Sequence, residues 1–301
     1  MTFGRALLAW FETANRSALP WRTNRAPYRI VVSEFMLQQT QVERVVPIFE
    51  RFTAAWPNFE RLANAAQADV LRAWRGLGYN SRAVRLHRLA REVVGRYGGE
   101  LPREENALRG LPGVGPYTAR AIAAFAFDAD AVAVDTNVRR VVHRTQLGLE
   151  WPRRAGDVEL DALARALLPQ GAGFAFNSAL MDLGASYCTA RAPKCLLCPV
   201  RALCAAAPID ATTLAKRASA FAPRRSPQER VRFEHSTRFV RGRIVDRLRA
   251  LGPSERISLL ALHRDLEPLL SNCDANAFGG IVAKLTRDGT IACDGDLLTL
   301  A

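Results

Sequence analysis

One carboxylate interrupts an otherwise apolar stretch near the start of the chain, and this setting suits a general acid. Glu34 lies within residues 31–37, in a helical pattern that begins at Pro27 and runs to about Leu37. Burial among apolar neighbours raises the pKa of a carboxyl group and lets it donate a proton near neutral pH. The alternative is an ordinary solvated helix glutamate. We interpret Glu34 as a catalytic acid.

A polar turn follows this helix. Thr40 and Glu43 have the spacing of a capping box, which predicts that the next helix starts at about Val42. That assignment places Gln38 and Gln39 in the turn between the two helices.

A second carboxylate, Asp135, stands where the next chemically informative helix is predicted to begin. It follows the short apolar stretch Ala131–Val134, and the helical pattern after it runs to about Thr145. Aspartate is a favoured N-cap because its side chain accepts a hydrogen bond from a backbone N–H of the first turn. Such a carboxylate is ionised and held still, so we expect the pKa of Asp135 to be lowered while that of Glu34 is raised.

Four of the six cysteines lie close together in one loop and indicate a metal centre. Cys188, Cys195, Cys198 and Cys204 follow the pattern Cys-x6-Cys-x2-Cys-x5-Cys. The start of the chain shows no signal-peptide core, and an intracellular protein keeps its thiols reduced, so disulfides are not favoured. Four thiolates suit either tetrahedral zinc or an iron–sulfur cluster, and this residue pattern leaves both open.

Two glycine-rich turns have the character of DNA contacts. Gly76 and Gly78 flank a tight turn from which Tyr79 could project as a wedge between bases, although a helix C-cap with a packed tyrosine is the alternative. In the second turn, Gly113, Val114 and Gly115 precede Pro116 and a buried helical pattern, as in a helix-hairpin-helix. Backbone N–H groups at such a helix start can bind a phosphate without reading sequence.

The pair Trp21 and Arg22 lies in a stretch without helical period. An exposed pair could stack on a base, whereas a packed indole beside a surface arginine is equally consistent with the sequence.

The composition of the chain limits the classes of partner that it can have. The chain has 301 residues, and its formal charge of +13 comes from 39 arginines and three lysines spread along it. This excess fits a polyanion partner, although arginine abundance also follows genomic base composition. No apolar run approaches the roughly 18 residues that span a bilayer, so we expect no membrane partner.

Beyond the cysteines, residues 207–230 are rich in proline and charge and are predicted to be a linker. Three helical patterns and a hairpin around Asp294-Gly295-Asp296 then suggest a small winged-helix-like domain at 231–301, a common nucleic-acid module. An interaction domain is equally consistent with the pattern. We expect the basic residues of this domain to contact phosphates: Arg238, Arg241, Arg243, Arg247, Arg249, Arg264 and Lys284.

Together these stretches resemble the helix-hairpin-helix DNA glycosylases, and most closely the MutY-type adenine DNA glycosylases, over roughly residues 3–206. The resemblance rests on motifs that appear in the family's order: Leu19-Pro20-Trp21-Arg22, Ser33-Glu34-Phe35-Met36-Leu37-Gln38-Gln39-Thr40-Gln41, Gly76-Leu77-Gly78-Tyr79, Leu111-Pro112-Gly113-Val114-Gly115, Asp135-Thr136-Asn137-Val138-Arg139-Arg140 and the four cysteines. It implies a mainly α fold with a glycosylase domain at 1–206. In that domain, a six-helix part spans about 25–134, and residues 1–24 and 135–206 form a part that carries a 4Fe-4S cluster on the cysteines.

The resemblance also implies catalytic roles. Glu34 matches the acid that protonates the purine at N7, and Asp135 matches the carboxylate that stabilises the oxocarbenium-like sugar. Asn137 resembles a residue that steadies Asp135 and the water. Tyr117 occupies the position of a lysine in bifunctional relatives, so no Schiff base is expected there.

Other positions match residues that contact DNA. Gln39 and Tyr79 match the residues that fill the base stack after the target base leaves. The remaining expected contacts are Gln38 in the same turn, Trp21 and Arg22 in the base pocket, and Gly113, Val114 and Gly115 at the helix-hairpin-helix.

The implied activity is that of a monofunctional hydrolase of N-glycosidic bonds in base excision repair. It would flip and remove adenine mispaired with 8-oxoguanine or guanine in double-stranded DNA, as a cytoplasmic bacterial monomer. Two departures from the family bear on base choice. Ser178 replaces the Glu or Gln that touches adenine in many members, and the winged-helix-like segment stands where the family's MutT-like module would be.

Two alternatives stay open at this point. One is a thymine or uracil mismatch glycosylase of the same fold, and the other is a non-catalytic iron–sulfur protein that binds DNA. Intact Glu34 and Asp135 argue against the second, because a pure binder needs neither.

Overall fold

The computed structural model describes residues 1–14, 19–150, 158–210, 212, 214–215, 232–252, 254–270 and 273–301. Most of the described chain is helical, which confirms the predicted mainly α fold. Within it, no helix is long and apolar enough to cross a membrane. The chain divides into two compact units, one of Met1–Glu34 with Pro102–Pro223 and the other of Phe35–Leu101 with Arg224–Ala301.

The helices and strands follow one another along the chain. The helices are α1 (Phe3–Thr13), α2 (Pro20–Thr23), α3 (Pro27–Leu37), α4 (Val42–Ala55), α5 (Phe59–Ala63), α6 (Gln67–Ala73), α7 (Ser81–Tyr97), α8 (Glu105–Gly110), α9 (Pro116–Phe127), α10 (Thr136–Leu147), α11 (Val158–Ala166), α12 (Gly173–Ser186), α13 (Thr237–Arg249), α14 (Leu259–Leu266) and α15 (Ala275–Arg287). The strands are β1 (Ile257–Ser258), β2 (Ile291–Asp294) and β3 (Leu297–Leu300).

The core of the first unit lies among α1, α10 and α12. Apolar side chains on α10 recur at the helical spacing of Val138, Val141 and Val142, and all three are fully buried. They pack against Leu7 of α1 and Phe176 of α12 in one cluster. This packing fixes the position of the start of α10, where Asp135 lies.

The second unit begins with short helices around aromatic residues. Phe49, Phe52 and Trp74 are buried, and the rings of Phe52 and Trp74 meet edge to face at 6.0 Å. Asn58 caps α5 by accepting a hydrogen bond from the N–H of Arg61. These contacts hold α4–α7 as the framework for the turns at 38–40 and 76–80.

The C-terminal part of the second unit has the predicted winged-helix-like composition, with one strand more than expected. Its elements follow in the order α13, β1, α14, α15, β2, β3, and the sheet has the antiparallel order β1-β3-β2. Ile291 pairs with Leu300 in the hairpin, and Ile257 pairs with Leu298. The strand β1 escaped prediction because two residues carry no period.

Two sequence predictions concern the capping box of Thr40 and Glu43 and the linker at 207–230. The capping box is wrong, because α4 begins at Val42 with Gln41 at its N-cap and without a side-chain cap. The Thr40 hydroxyl instead accepts a hydrogen bond from Arg82. Most of the predicted linker, residues 211, 213 and 216–230, lies outside the described residues.

Candidate active site and cysteine loop

Glu34 lies near the end of α3 and is buried, with 8% of its surface exposed. Its neighbours in the chain, Val32, Phe35 and Met36, are buried as well. Burial raises the pKa of Glu34 to about 8, and the negative charge of Asp135 adds to this effect. The solvated alternative for Glu34 is therefore wrong, and the carboxyl group is mainly protonated at neutral pH.

Tyr117 lies in the first turn of α9 and belongs to the same electrostatic cluster. Burial raises the pKa of its hydroxyl, and the negative charges of Glu34 and Asp135 raise it further. The hydroxyl therefore keeps its proton and offers an O–H donor beside two carboxyl groups. These three side chains come from α3, α9 and the start of α10, three segments that are far apart in sequence.

Asp135 is the N-cap of α10, as predicted. One carboxylate oxygen accepts a hydrogen bond of 2.7 Å from the N–H of Val138, and the other accepts one of 3.1 Å from Asn137 Nδ2. The expected direction of its pKa is wrong. Burial raises the pKa, and this outweighs the lowering by the hydrogen bonds from Val138 and Asn137 and by the charge of Arg140. The sequence identified the cap correctly but gave no measure of how deeply it is buried.

A chain of hydrogen bonds connects Asp135 to the cysteine loop. Arg140 Nη2 donates to Asn137 Oδ1 at 2.8 Å, and Arg140 Nε donates to the carbonyl oxygen of Cys188 at 2.6 Å. Gly184 of α12 packs so closely here that an added Cβ would lie 2.8 Å from Asn137 Cβ. Arg140 therefore positions Asn137. The sequence did not predict this role, because Arg139-Arg140 reads as an ordinary pair of surface arginines.

The segment that leads into Asp135 is held by Asn177. The N–H of Ala133 donates to Asn177 Oδ1, and Asn177 Nδ2 donates to the carbonyl oxygens of Ala131 and Gly173. Asn177 is fully buried, so these bonds satisfy an amide that would otherwise be costly to bury. The adjacent Ser178 is also fully buried, and its hydroxyl has no hydrogen-bond partner among the described residues.

Trp21 adopts the packed alternative, whereas Arg22 is not the surface arginine of that alternative, because its side chain is only 11% exposed. The Trp21 indole is 6% exposed. Arg22 forms a two-pronged ion pair with Asp182 of α12, with N···O distances of 2.8 and 3.0 Å. The sequence gave no signal for this partner, because Asp182 lies on a helix 160 residues away.

The four cysteines of the loop line one pocket, together with Leu183, Tyr187 and Val200. The fully buried Arg144 holds the start of this loop by donating to Cys188 Sγ at 3.4 Å and to the carbonyl oxygens of Thr189 and Ala190. Cysteine sulfur atoms are soft ligands that suit zinc and iron–sulfur clusters. The donor set and its surroundings therefore fit a metal centre held by Cys188, Cys195, Cys198 and Cys204.

The helix-hairpin-helix turn has the predicted geometry. Gly113 has a φ of 81°, and Gly115 is the N-cap of α9 with Pro116 as the first helical residue. Val114 is buried beneath the turn, whereas the two glycines are exposed. Because glycine has no side chain to cap the helix, the first N–H groups of α9 can meet an external anion.

In the second unit, one buried arginine holds two strained turns. Gln39 and Tyr79 have positive φ values of 56° and 45°, which non-glycine residues rarely adopt. Arg82 is 4% exposed and lies between these turns. It donates hydrogen bonds to the carbonyl oxygens of Phe35, Met36, Gln38, Leu77 and Gly78 and to the hydroxyl of Thr40. Tyr79 itself is 42% exposed, so the exposed-turn alternative for it is correct.

Four arginines of the C-terminal segment 232–301 are paired with carboxylates of the same segment. The pairs are Arg241–Asp288, Arg243–Asp246, Arg247–Asp265 and Arg249–Asp246. The hairpin tip also carries two acidic residues, Asp294 and Asp296. Local neutralisation of these cations weakens the prediction that they bind phosphates.

Comparison with known proteins gives consistent matches. A family model described as "HhH-GPD superfamily base excision DNA repair protein" matches residues 32–165. The chain is 43% identical to an adenine DNA glycosylase of Mycolicibacterium smegmatis over 245 residues, which are 81% of this chain and 79% of the relative. It is 41% identical to the adenine DNA glycosylase of Homo sapiens over 214 residues, 68% of this chain and 39% of the relative.

Solved structures show the same fold. A thermostable thymine-DNA glycosylase aligns with a TM-score of 0.63 and 35% identity, covering 68% of this chain and 94% of that one. An endonuclease III bound to DNA aligns with a TM-score of 0.57 and 24% identity, covering 67% of this chain and 92% of that one.

Proposed function

The chain belongs to the helix-hairpin-helix DNA glycosylases, in the MutY-type adenine DNA glycosylase branch, and from this premise we propose that it removes adenine mispaired with 8-oxoguanine or guanine. The proposed reaction is hydrolysis of the N-glycosidic bond in base excision repair. The observation that carries the proposal is the cluster of Glu34, Tyr117 and Asp135, in which Glu34 has a pKa of about 8. A pure DNA-binding protein would have no need of such a costly buried carboxyl group.

Glu34 supplies the proton that the departing base needs. Adenine leaves poorly as an anion, so protonation of the purine at N7 lowers the barrier to bond breaking. With a pKa of about 8, Glu34 still carries its proton at pH 7. It is thus a general acid at the pH at which the enzyme works.

Asp135 and Asn137 act on the sugar side of the bond. As the bond breaks, positive charge develops on the sugar, and a fixed carboxylate nearby stabilises it. Hydrogen bonds from Val138 and Asn137 hold Asp135 in place and favour its ionised form. In this proposal Asp135 carries the negative charge, because these hydrogen bonds and the charge of Arg140 oppose the raising of its pKa by burial. Asn137 also helps to position the attacking water.

Tyr117 makes the enzyme monofunctional. Its hydroxyl keeps its proton, since burial and two neighbouring carboxyl groups raise its pKa. A phenol cannot form a Schiff base with the abasic sugar, so cleavage of the DNA strand does not follow base removal at this position.

A 4Fe-4S cluster is the proposed occupant of the cysteine pocket. Among the described residues, no group of His, Cys, Asp and Glu side chains is arranged around a single metal ion. All four cysteines nevertheless line one pocket, and the resemblance to the MutY-type glycosylases favours an iron–sulfur cluster over zinc. Cys188, Cys195, Cys198 and Cys204 would hold the cluster, which would supply a structural cross-link in this loop. Arg140 holds Asn137 and bonds to the carbonyl oxygen of Cys188 next to it.

The proposed partner is double-stranded DNA that contains a mismatch or an oxidised guanine. We propose that the protein acts on it as a monomer in the bacterial cytoplasm. Gly113, Val114 and Gly115 bind the phosphate backbone through N–H groups of the turn. Gln39 and Tyr79 fill the base stack, with Gln38 beside them, and Trp21 and Arg22 line the base pocket. We propose residues 1–206 as the catalytic domain, with residues 231–301 as an added domain.

Two observations favour a second candidate. The thymine-DNA glycosylase structure is 35% identical to this chain, and Ser178 is a departure from the adenine-specific pattern. A thymine or uracil mismatch glycosylase would use the same carboxyl groups. The adenine DNA glycosylase of Mycolicibacterium smegmatis is 43% identical over 81% of this chain, against 35% and 68% for the thymine-DNA glycosylase, so adenine is the proposed base.

A panel of duplexes tests the proposal. Each duplex carries one target base and one opposite base and is treated with the protein and then with alkali. We expect cleavage at adenine opposite 8-oxoguanine or guanine. Glu34→Gln should retain binding and lose about 10²–10⁴ in single-turnover rate. The control is Glu43→Gln, which changes an exposed glutamate and should stay within a few-fold of the wild type. A Glu34→Gln rate as high as that of the control would contradict the proposed role of Glu34.

A further inference from the structure

We propose that the C-terminal segment 232–301 is a positioning element for the turn that carries Tyr79. In this assignment, Arg249 fixes the end of the turn and Arg238 fixes the aromatic ring. The segment would therefore contribute to opening of the base stack. Its two arginines would contact groups of the turn and not the phosphates of DNA. The inference rests on the proposed function only in requiring that the protein opens duplex DNA at Tyr79.

Arg249 is a buried connection between the two parts of the second unit. Its side chain is 9% exposed. Nη2 donates to Asn80 Oδ1 at 2.8 Å, and Nε donates to the carbonyl oxygen of Leu71 at 3.1 Å. The remaining nitrogen, Nη1, donates to Asp246 Oδ1 on the same helix at 2.9 Å. Asn80 directly follows Tyr79, so Arg249 anchors the turn at its C-terminal end.

Arg238 stacks on the other side of the same turn. Its guanidinium carbon lies 4.5 Å from the centroid of the Tyr79 ring, within the range of a cation–π contact. Arg82 approaches the same ring at 5.7 Å from within the unit. The ring is therefore held between one arginine of the framework and one of the C-terminal segment, while 42% of Tyr79 stays exposed.

Further contacts hold the C-terminal segment against the framework of this unit. Gln67 Nε2 donates to the carbonyl oxygen of Gly289 at 2.9 Å, and Arg72 Nη2 donates to that of Leu251 at 3.4 Å. Gly289 has a φ of 74°, and an added Cβ would lie 2.8 Å from Arg88. A segment held at several points can transmit its position to the Tyr79 turn.

Contacts from the C-terminal segment stabilise the strained backbone of the Tyr79 turn. Tyr79 has a positive φ and follows Gly78, which is also in the left-handed region. Backbone in this region persists where surrounding contacts determine it. An exposed aromatic ring that must enter a base stack needs one defined orientation, and the two arginines reduce its freedom before DNA arrives.

The test measures stack opening with 2-aminopurine next to the target base. The duplex carries a 2′-fluorine on the target nucleoside, which disfavours positive charge on the sugar and stops excision. We expect Arg238→Ala in the full chain to reduce the rise in fluorescence by about two- to fivefold, as for loss of an exposed cation–π contact. In a Tyr79→Ala background, Arg238→Ala should have no further effect. The slope of the logarithm of the DNA-binding constant against the logarithm of the salt concentration should stay unchanged.

The matched control is Arg247→Ala. It removes an arginine from the same helix whose partner is Asp265 and not the turn. Equal behaviour of Arg238→Ala and Arg247→Ala would overturn the inference. So would an undiminished effect in the Tyr79→Ala background, or a loss of about one from the salt slope, which marks a phosphate contact.

Failure of this inference can be told apart from failure of the proposed function. If the wild type excises adenine but Arg238 and Tyr79 act independently, only the inference fails. If the two residues are coupled in stack opening but another base is excised, only the proposed base is wrong.

Discussion

Replacement of Glu34 by glutamine should change how the stability of the protein depends on pH. In the folded protein the pKa of Glu34 is raised from its ordinary value of 4.5 to about 8. The folded state therefore holds the proton more tightly than the unfolded chain does. Stability from this proton is fully present below pH 4.5 and is lost as the pH rises through about 8.

The size of the effect follows from the shift. Each unit of pKa corresponds to about 1.4 kcal/mol, so the wild type loses about 1.4 kcal/mol per pH unit inside this window. Between pH 5.5 and 7.5 its free energy of unfolding should fall by about 3 kcal/mol relative to that of Glu34→Gln. Asp135 is present in both proteins, so its own titration largely cancels in the difference.

Urea titrations of both proteins across this pH range provide the assay. Glu43→Gln is the control, because an exposed glutamate should shift stability by the same amount at every pH of the range. A difference between wild type and Glu34→Gln that does not vary with pH would mean that Glu34 is ionised at neutral pH, and the reasoning that makes it the acid would be refuted.

Three further outcomes are expected. Purified protein should contain iron and inorganic sulfide in equal amounts, near four of each per chain as in a 4Fe-4S cluster; four zinc-bound thiolates without iron would contradict this. Borohydride should not trap the protein on substrate DNA through Tyr117, and efficient trapping would reveal an amine at work. Arg82→Ala should destabilise the protein by roughly 1–3 kcal/mol, the cost of leaving buried carbonyl groups without a hydrogen bond, and should reduce the stack opening measured by 2-aminopurine fluorescence. Arg85→Ala on the same helix, an exposed position, should leave both unchanged.

Local patterns in the sequence predicted what depends on neighbouring residues. The helical period located α10, and the preference of aspartate for helix starts placed Asp135 at its cap. In the same way, glycine spacing predicted the turns at 76–79 and 113–115. Each of these features is determined within a few residues, so the sequence carries the signal directly.

Contacts between distant segments were missed. Arg22 pairs with Asp182, 160 residues away in the sequence, and Arg82 donates to carbonyl groups at the end of α3 and in the turn that follows it. No period or spacing encodes such pairs, because they exist only once helices have packed. The raised pKa of Asp135 has the same origin, since burial is set by the fold as a whole.

The chemical identity of the released base tests the central claim most directly. The protein is incubated in excess with a mixture of two duplexes, one with adenine opposite 8-oxoguanine and one with thymine opposite guanine, and free bases are identified by mass spectrometry. We expect adenine, with the DNA strand left intact until alkali is added. Release of thymine in place of adenine would contradict the account, as would release of no base by the cluster-loaded protein.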